Sequence, residues 1–271
     1  MLSLSYLALA LTATIASAQP TLEKREPSLD ATSSTLLMNY FQVLGNHVEV
    51  IRDTSDGPPS PPPCQVGSGA MPTISATTSA LASATPGLTV SNVAIGRGTQ
   101  NYTCVNNTSD AAPVAIGATA NLYNATCIAA NYPDLLAMIP DIALQFDTPT
   151  GDTALLPSEL LLMGIHYFSD NTTPSFDLNV PGTSLGVIHA AKKGSQPAPS
   201  SSTPGQDGQG FGSVPWLQLQ RKSGDADIQE VYRINTAGGQ PPMTCEDMPS
   251  AFEVDYAAEY GVPSSTLVEQ Y

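Results

Sequence analysis

Residues 216–220, Trp216-Leu217-Gln218-Leu219-Gln220, and residues 231–234, Val231-Tyr232-Arg233-Ile234, carry the clearest strand pattern in this chain. Leucine and glutamine alternate in the first, and the second is rich in β-branched and aromatic residues, both of which are typical of strands. Turn residues separate the other runs of this kind, which are residues 88–93, 100–105, 114–122, 160–168 and 252–256, and the second run extends back to residue 228. Because strands and helices do not alternate regularly, these runs predict an all-β fold, an antiparallel sandwich or barrel with long Pro/Ser-rich loops.

The segments around and within this β domain, residues 88–260, differ from it in composition. Residues 26–52 are predicted to hold a short N-terminal helix that stops at Gly45, with apolar residues on one face: Leu36, Leu37, Tyr40, Phe41 and Leu44. Residues 53–87 form a Pro/Ser/Thr-rich linker with too little apolar surface to order itself, and residues 261–271 form a C-terminal tail. We predict a helical turn at residues 132–138 and a disordered loop at residues 192–213.

The beginning of the chain has the pattern of a signal peptide. Residues 1–18 are largely apolar and end in Ala16-Ser17-Ala18, a small-residue cleavage pattern. The dibasic pair Lys24-Arg25 predicts a propeptide at residues 19–25. No later stretch reaches the length of about 18 apolar residues that a membrane span needs. We therefore expect a secreted, extracellular protein without a membrane span.

The charge of the chain limits its partners. The net charge is −15, so nucleic acid and anionic membranes are poor partners. Charged residues make up only 12% of the chain, against about 25% in most globular domains, which leaves neutral polar side chains or sugars to cover much of the surface. Five sequons predict N-glycosylation, of which the second and third overlap: Asn101, Asn106, Asn107, Asn124 and Asn171.

All four cysteines follow the predicted propeptide, where an oxidising compartment favours disulfide bonds. They are Cys64, Cys104, Cys127 and Cys245, and three pairings are possible from the sequence alone. No two of them have C-x-x-C spacing and the three histidines are scattered, so we expect no metal site.

Catalytic candidates are few. His166 lies in an apolar run with Asp170 and Asp177 nearby, so a carboxylate would orient its imidazole as a general base. A structural histidine is the alternative, and no Gly-x-Ser-x-Gly motif accompanies it. Acidic residues near strand ends would supply a glycosidase pair if they faced one groove: Glu246, Asp247, Asp255 and Glu259.

Two residues are candidates for binding. Trp216, the only tryptophan, would stack on a sugar ring if exposed, and packs in a core if buried. Arg233 lies in the middle of a predicted strand and would clamp an anionic ligand. An ion pair with one of the many carboxylates is the alternative for Arg233.

Five blocks of sequence carry a resemblance to a known family: residues 93–104, 164–168, 214–217, 231–239 and 256–260. Residues 88–260 resemble a family of secreted fungal and bacterial proteins known only as a domain of unknown function. The tail after Tyr260 departs from the family, whose members usually end in an aromatic pair. Bacterial relatives keep cysteines that match Cys104 and Cys245, so the resemblance implies that these two are paired and that Cys64 is bonded to Cys127.

Fungal members of that family often carry the label malate dehydrogenase, which the residues do not support. Nicotinamide binding needs Gly-x-Gly-x-x-Gly between a strand and a helix. Residues 205–210 read Gly-x-x-Gly-x-Gly inside a Pro/Ser-rich loop, so we expect no dehydrogenase activity and no cofactor. The sequence predicts a non-enzymatic binding protein at a cell-wall polysaccharide or host surface, with a secreted glycosidase or esterase as the alternative.

Overall fold

The computed structural model describes residues 31–54, 62–64, 81–151 and 153–265. The predicted signal peptide, the propeptide, most of the linker and the end of the tail lie outside the described residues. Of the described helices, none is both long and apolar enough to cross a membrane.

The core of the molecule is an eight-stranded antiparallel barrel. Each strand pairs with the next along the chain, and the first pairs with the last. The strands are β1 Thr89–Thr103, β2 Val114–Asn124, β3 Leu162–Phe168, β4 Pro174–Val180, β5 Thr183–Gln196, β6 Trp216–Gly224, β7 Glu230–Gly238 and β8 Ala251–Ser264. The all-β prediction is confirmed, and of its two forms the chain adopts the barrel and not the sandwich. Closure leaves no unpaired sheet edge.

Strand β1 joins two runs that the sequence pattern separates. Gly96 and Gly98 look like turn residues, but a Cβ at Gly98 would lie 2.0 Å from the Thr119 carbonyl oxygen of β2. A Cβ at Gly96 would lie 2.5 Å from the Tyr260 ring. These glycines therefore allow close approach between neighbouring strands and do not end one.

Strands β4 and β5 were not predicted. Asp, Asn, Gly, Lys and Ser interrupt their apolar pattern, which made them resemble turns. The prediction of a disordered loop at residues 192–213 was wrong. Residues 192–196 belong to β5, and the rest is anchored to β7 because the Gly238 amide donates to the Thr203 carbonyl at 2.8 Å and the Val214 amide donates to the Gly238 carbonyl at 2.9 Å.

Three helices cover one outer face of the barrel: α1 Ala31–Thr54, α2 Thr126–Asn131 and α3 Pro133–Ala143. Helix α1 continues through Gly45, where the sequence predicted its end, because nothing near Gly45 forbids helical backbone. The predicted helical turn at residues 132–138 is confirmed as the start of α3. Buried Ile139 and Ile142 of α3 pack against outward residues of β1 such as Ile95.

Arg97 joins this helical layer to the barrel. Its side chain is almost fully buried, and Nη1 lies 2.7 Å from Asp255 Oδ1. Nε donates to the Ala143 carbonyl at 3.3 Å and Nη2 donates to the Phe146 carbonyl at 3.0 Å. One guanidinium thus satisfies carbonyls at and just beyond the end of α3 while it pairs with β8.

Candidate functional site

The barrel interior is packed at one end and hollow at the other. Apolar side chains such as Met163, Leu178, Ile188 and Ile228 fill the closed end. Toward the β3–β4 turn lies a cavity of about 350 Å³, near the lower limit of typical small-ligand sites. Exposed residues of its lining, among them Asn171 and Lys192, mark where it reaches the surface.

The wall of the cavity is mainly apolar and aromatic. Phe168, Phe176, Leu217 and Leu219 line it, and the ring centroids of His166 and Phe176 are 4.4 Å apart in a stacked arrangement. Strand register creates this wall, because His166 lies directly opposite Phe176 and both point inward. An apolar ligand would therefore replace water against the rings and gain burial energy.

Arg233 is the charged group inside the barrel. It lies between Leu217 of β6 and Tyr260 of β8 in register, and it is only 7% exposed. Nη2 donates to the Pro215 carbonyl at 2.9 Å, but Nε has no hydrogen-bond partner among the described residues. No described carboxylate forms an ion pair with it, so the ion-pair alternative from the sequence is not realised in this part of the chain.

The carboxylates of strands β4 and β8 point away from the barrel interior that holds Arg233. Asp177, Asp255 and Glu259 alternate with the inward residues Phe176 and Tyr260, so strand periodicity puts them on the outer face. The cationic guanidinium is therefore enclosed by apolar and neutral groups.

Three tyrosines surround this cation in neutral form. The hydroxyls of Tyr256 and Tyr260 are 2.9 Å apart, and that of Tyr102 donates to the Gly239 carbonyl at 2.7 Å. Burial raises the pKa of Tyr102 to about 12 against the opposing charge of Arg233. Burial likewise raises the pKa of Tyr256 and Tyr260, so none of the three supplies a counter-charge.

His166 is also neutral, and a backbone carbonyl orients it. Its Nδ1 lies 2.9 Å from the Ser175 carbonyl oxygen, which only accepts, so Nδ1 carries the hydrogen. Burial, together with the charge of Arg233, lowers the pKa of His166 to about 4 despite the hydrogen bond to Ser175. Sequence analysis offered Asp170 or Asp177 as the orienting group, and neither has that role.

The two aspartates near His166 serve the turns of β4. Asp170 is exposed, and its Oδ1 accepts from the Thr172 and Thr173 amides at 2.7 Å. A hydrogen bond from the Thr172 hydroxyl at 2.8 Å, together with these amide hydrogen bonds, lowers the pKa of Asp170 to about 2. Asp177 lies on the outer face and accepts from the Asn179 amide at 2.9 Å. The structure does not bring the three catalytic candidates together.

The candidate glycosidase pairs are also separated. Asp255 pairs with Arg97, whereas Glu259 is fully buried and accepts from Asn235 Nδ2 at 2.8 Å. Glu246 and Asp247 are exposed in the β7–β8 loop. Their positions offer no groove with two facing carboxylates.

Trp216 is buried on the outside of the barrel. Its indole is 7% exposed and packs with Leu81, Tyr232 and Ile234. Residues 81–84, remote in sequence, cover it, so the indole presents no face to a sugar ring. Of the two alternatives for Trp216, the structure therefore shows core packing and not stacking on a sugar.

The disulfide bonds join Cys104 to Cys245 and Cys64 to Cys127, which are the pairs that the resemblance implied. The first bond links the β1–β2 and β7–β8 loops, at the same end of the barrel as the cavity opening. The second fastens residues 62–64 to α2. Four sequon asparagines are exposed, namely Asn106, Asn107, Asn124 and Asn171, and Asn101 is half-buried.

Sequence reasoning missed Phe176 and Tyr260 as cavity residues. One signal was present, because Val231 and Arg233 are two residues apart and share a face of a strand. That spacing directs Arg233 toward the core, where few acidic residues are found.

A comparison with protein families assigns the domain. The model of the family described as "Protein of unknown function (DUF3455)" matches residues 84–262. The chain belongs to this family. The matched region contains all eight strands apart from the last residues of β8, so the cavity is part of the family domain and α1 precedes it. Searches of curated proteins and of solved structures gave no match.

Proposed function

We propose that the protein is a secreted, non-enzymatic binding protein whose barrel holds one small, largely apolar molecule. The cavity carries this proposal: it is about 350 Å³ in volume, walled by aromatic and aliphatic side chains, and reaches the surface at one end. Eight-stranded barrels are wide enough to enclose one small ligand. Filling such a cavity removes apolar wall from water and stabilises the complex.

A binding role accounts for the site better than hydrolysis does. A hydrolase needs a base oriented beside a nucleophile or a second carboxylate. His166 instead donates a hydrogen bond to a backbone carbonyl, and Asp177 lies on the other face of the sheet. In the part of the chain that is described, no group of three or more side chains is arranged to hold a metal ion.

The same geometry changes the expected mode of binding. Surface binding to a polysaccharide relied on an exposed Trp216, whose indole is buried. Two disulfide bonds are consistent with an extracellular protein, and the predicted signal peptide supports secretion. We therefore propose uptake of a small molecule outside the cell.

A neutral fluorescent probe tests the cavity without involving charge. N-phenyl-1-naphthylamine should bind the secreted protein saturably with increased emission and a stoichiometry of about one. Ala115→Trp at the cavity mouth should block uptake, whereas Ala251→Trp, an exposed alanine on the outer face of β8, should not. Equal uptake by both folded variants, or none by the parent protein, would exclude the cavity as the site.

A further inference from the structure

We propose that the ligand is a small apolar carboxylic acid, bound as a monoanion with its carboxylate on Arg233; this inference rests on the proposed binding function. Arg233 is 93% shielded from solvent at the cavity wall, and its Nε has no partner among the described residues. A buried cation without a counter-ion is unfavourable unless an anion completes it. The cavity is where that anion would lie.

Arg97 shows how this chain treats a buried guanidinium whose role is structural. All three of its nitrogens donate to protein oxygens, and Asp255 supplies the opposite charge at 2.7 Å. Arg233 lacks such a carboxylate, although it too is buried. The difference indicates that the missing partner of Arg233 is not part of the fold.

The chemistry around Arg233 favours a single negative charge. A guanidinium offers a planar fork that matches two carboxylate oxygens. His166 is neutral and the nearby tyrosines stay protonated, so Arg233 is the one enclosed cation of the described cavity lining. Lys192 is exposed at the rim, where water screens it. A phosphate monoester carries up to two charges and would need more buried donors.

The position of Arg233 sets the orientation of the ligand. Tyr260 and Arg233 lie within their strands, whereas Phe168 and Pro174 stand at the strand ends beside the opening. With its carboxylate on Arg233, a short acid would place its apolar part between Phe176 and Leu217. An aromatic acid of two fused rings is a suitable probe for such a wall.

Isothermal titration with matched ligands tests the charge requirement. We expect 2-naphthoate to bind at least tenfold more tightly than 2-naphthamide, which has the same rings without the charge, and more tightly than 2-naphthyl phosphate. Arg233→Met should remove the preference for the acid and leave binding of the amide within about threefold. Arg233→Lys should retain part of the preference for the acid, since the positive charge remains but the planar guanidinium fork is lost. Arg221→Gln, an arginine of β6 outside the cavity, is the matched control.

The outcomes separate this inference from the proposed function. Equal affinity for acid and amide, or tighter binding of the phosphate, would overturn the carboxylate assignment while the cavity remains a binding site. Uptake of neutral N-phenyl-1-naphthylamine without any binding of 2-naphthoate would do the same. Failure of the neutral probe as well would refute the binding function itself. An unchanged acid preference in folded Arg233→Met would overturn the role of Arg233.

Discussion

Replacement of each buried arginine by methionine should have opposite effects on stability. Arg97→Met removes the ion pair to Asp255 and the donor to the Phe146 carbonyl, and it leaves the Ala143 carbonyl with only the Phe146 amide at 3.3 Å. Each buried carbonyl that loses its partner costs about 1–3 kcal/mol. Asp255 is 44% exposed and regains water, so its share is about 0–1 kcal/mol. Because methionine recovers part of the burial, we expect the free energy of unfolding to fall by about 3–5 kcal/mol.

Arg233→Met removes a cation that has no counter-ion among the described residues, and it loses the hydrogen bonds to the Pro215 carbonyl and to the Tyr260 hydroxyl. Replacement of a buried charge by an apolar side chain of similar volume is often neutral or stabilising. We expect the free energy of unfolding of the ligand-free protein to be unchanged or to rise by up to about 2 kcal/mol.

Urea unfolding followed by circular dichroism measures both variants, and thermal unfolding provides a second readout. At about 2–4 °C per kcal/mol, Arg97→Met should lower the Tm by about 6–20 °C. A loss of 3 kcal/mol or more in Arg233→Met would show that Arg233 is structural and would refute our reasoning about the missing anion. A loss of less than about 1 kcal/mol of unfolding free energy in Arg97→Met would refute the role of Arg97 in joining the helices to the barrel.

Three further predictions concern titration and the disulfide bond near the cavity. Burial lowers the pKa of His166 to about 4, so as the pH falls the imidazole is protonated in the unfolded chain before it is protonated in the folded one. The free energy of unfolding should therefore fall by about 3 kcal/mol between about pH 6.5 and pH 4. His166→Gln should lack this part of the pH dependence in urea titrations at several pH values; identical profiles would contradict the assignment. Burial raises the pKa of Glu259 to about 7. Its contribution to the free energy of unfolding is therefore fully present below about pH 4.5 and is lost as the pH rises through 7. The free energy of unfolding of Glu259→Gln should therefore be about 3 kcal/mol higher than that of the parent protein at pH 8 and equal to it near pH 4. A variant that is less stable than the parent protein at pH 8 would exclude a buried acid. Replacement of both Cys104 and Cys245 by alanine should cost about 2–5 kcal/mol in the same assay, because the bond closes a long loop; an unchanged midpoint would mean that this bond does not constrain the unfolded chain.

The parts of the fold that could be predicted are those in which local pattern and tertiary structure agree. Leu217 and Leu219 alternate with glutamines in β6, and the pattern was clear. Gly96 and Gly98 misled because a glycine that permits close strand approach looks like a glycine that ends a strand. Residues 192–213 have a composition typical of disorder. The part of this segment that follows β5 is nevertheless ordered by backbone hydrogen bonds to β7, and composition does not reveal hydrogen-bond partners that are distant in sequence.

The cavity could not be predicted because it depends on register. Between Ile234 and Ala237 the β7–β8 pairing shifts, and Asn235 has a φ of 44°. Such irregularities change which side chains point inward, and no sequence pattern marks them reliably. The number of acidic residues made an ion pair for Arg233 the expected outcome, but the neighbouring strands direct their carboxylates outward. The burial of Trp216, the core alternative, also depends on tertiary structure, since residues distant in sequence cover it.

The most direct test of the binding cavity is a crystal structure of the protein in complex with 2-naphthoate. We predict density for one molecule inside the barrel, with its rings beside Phe176 and its carboxylate oxygens within hydrogen-bond distance of Arg233. Density for the ligand only on the outer surface, or a cavity filled by the chain itself, would contradict the account.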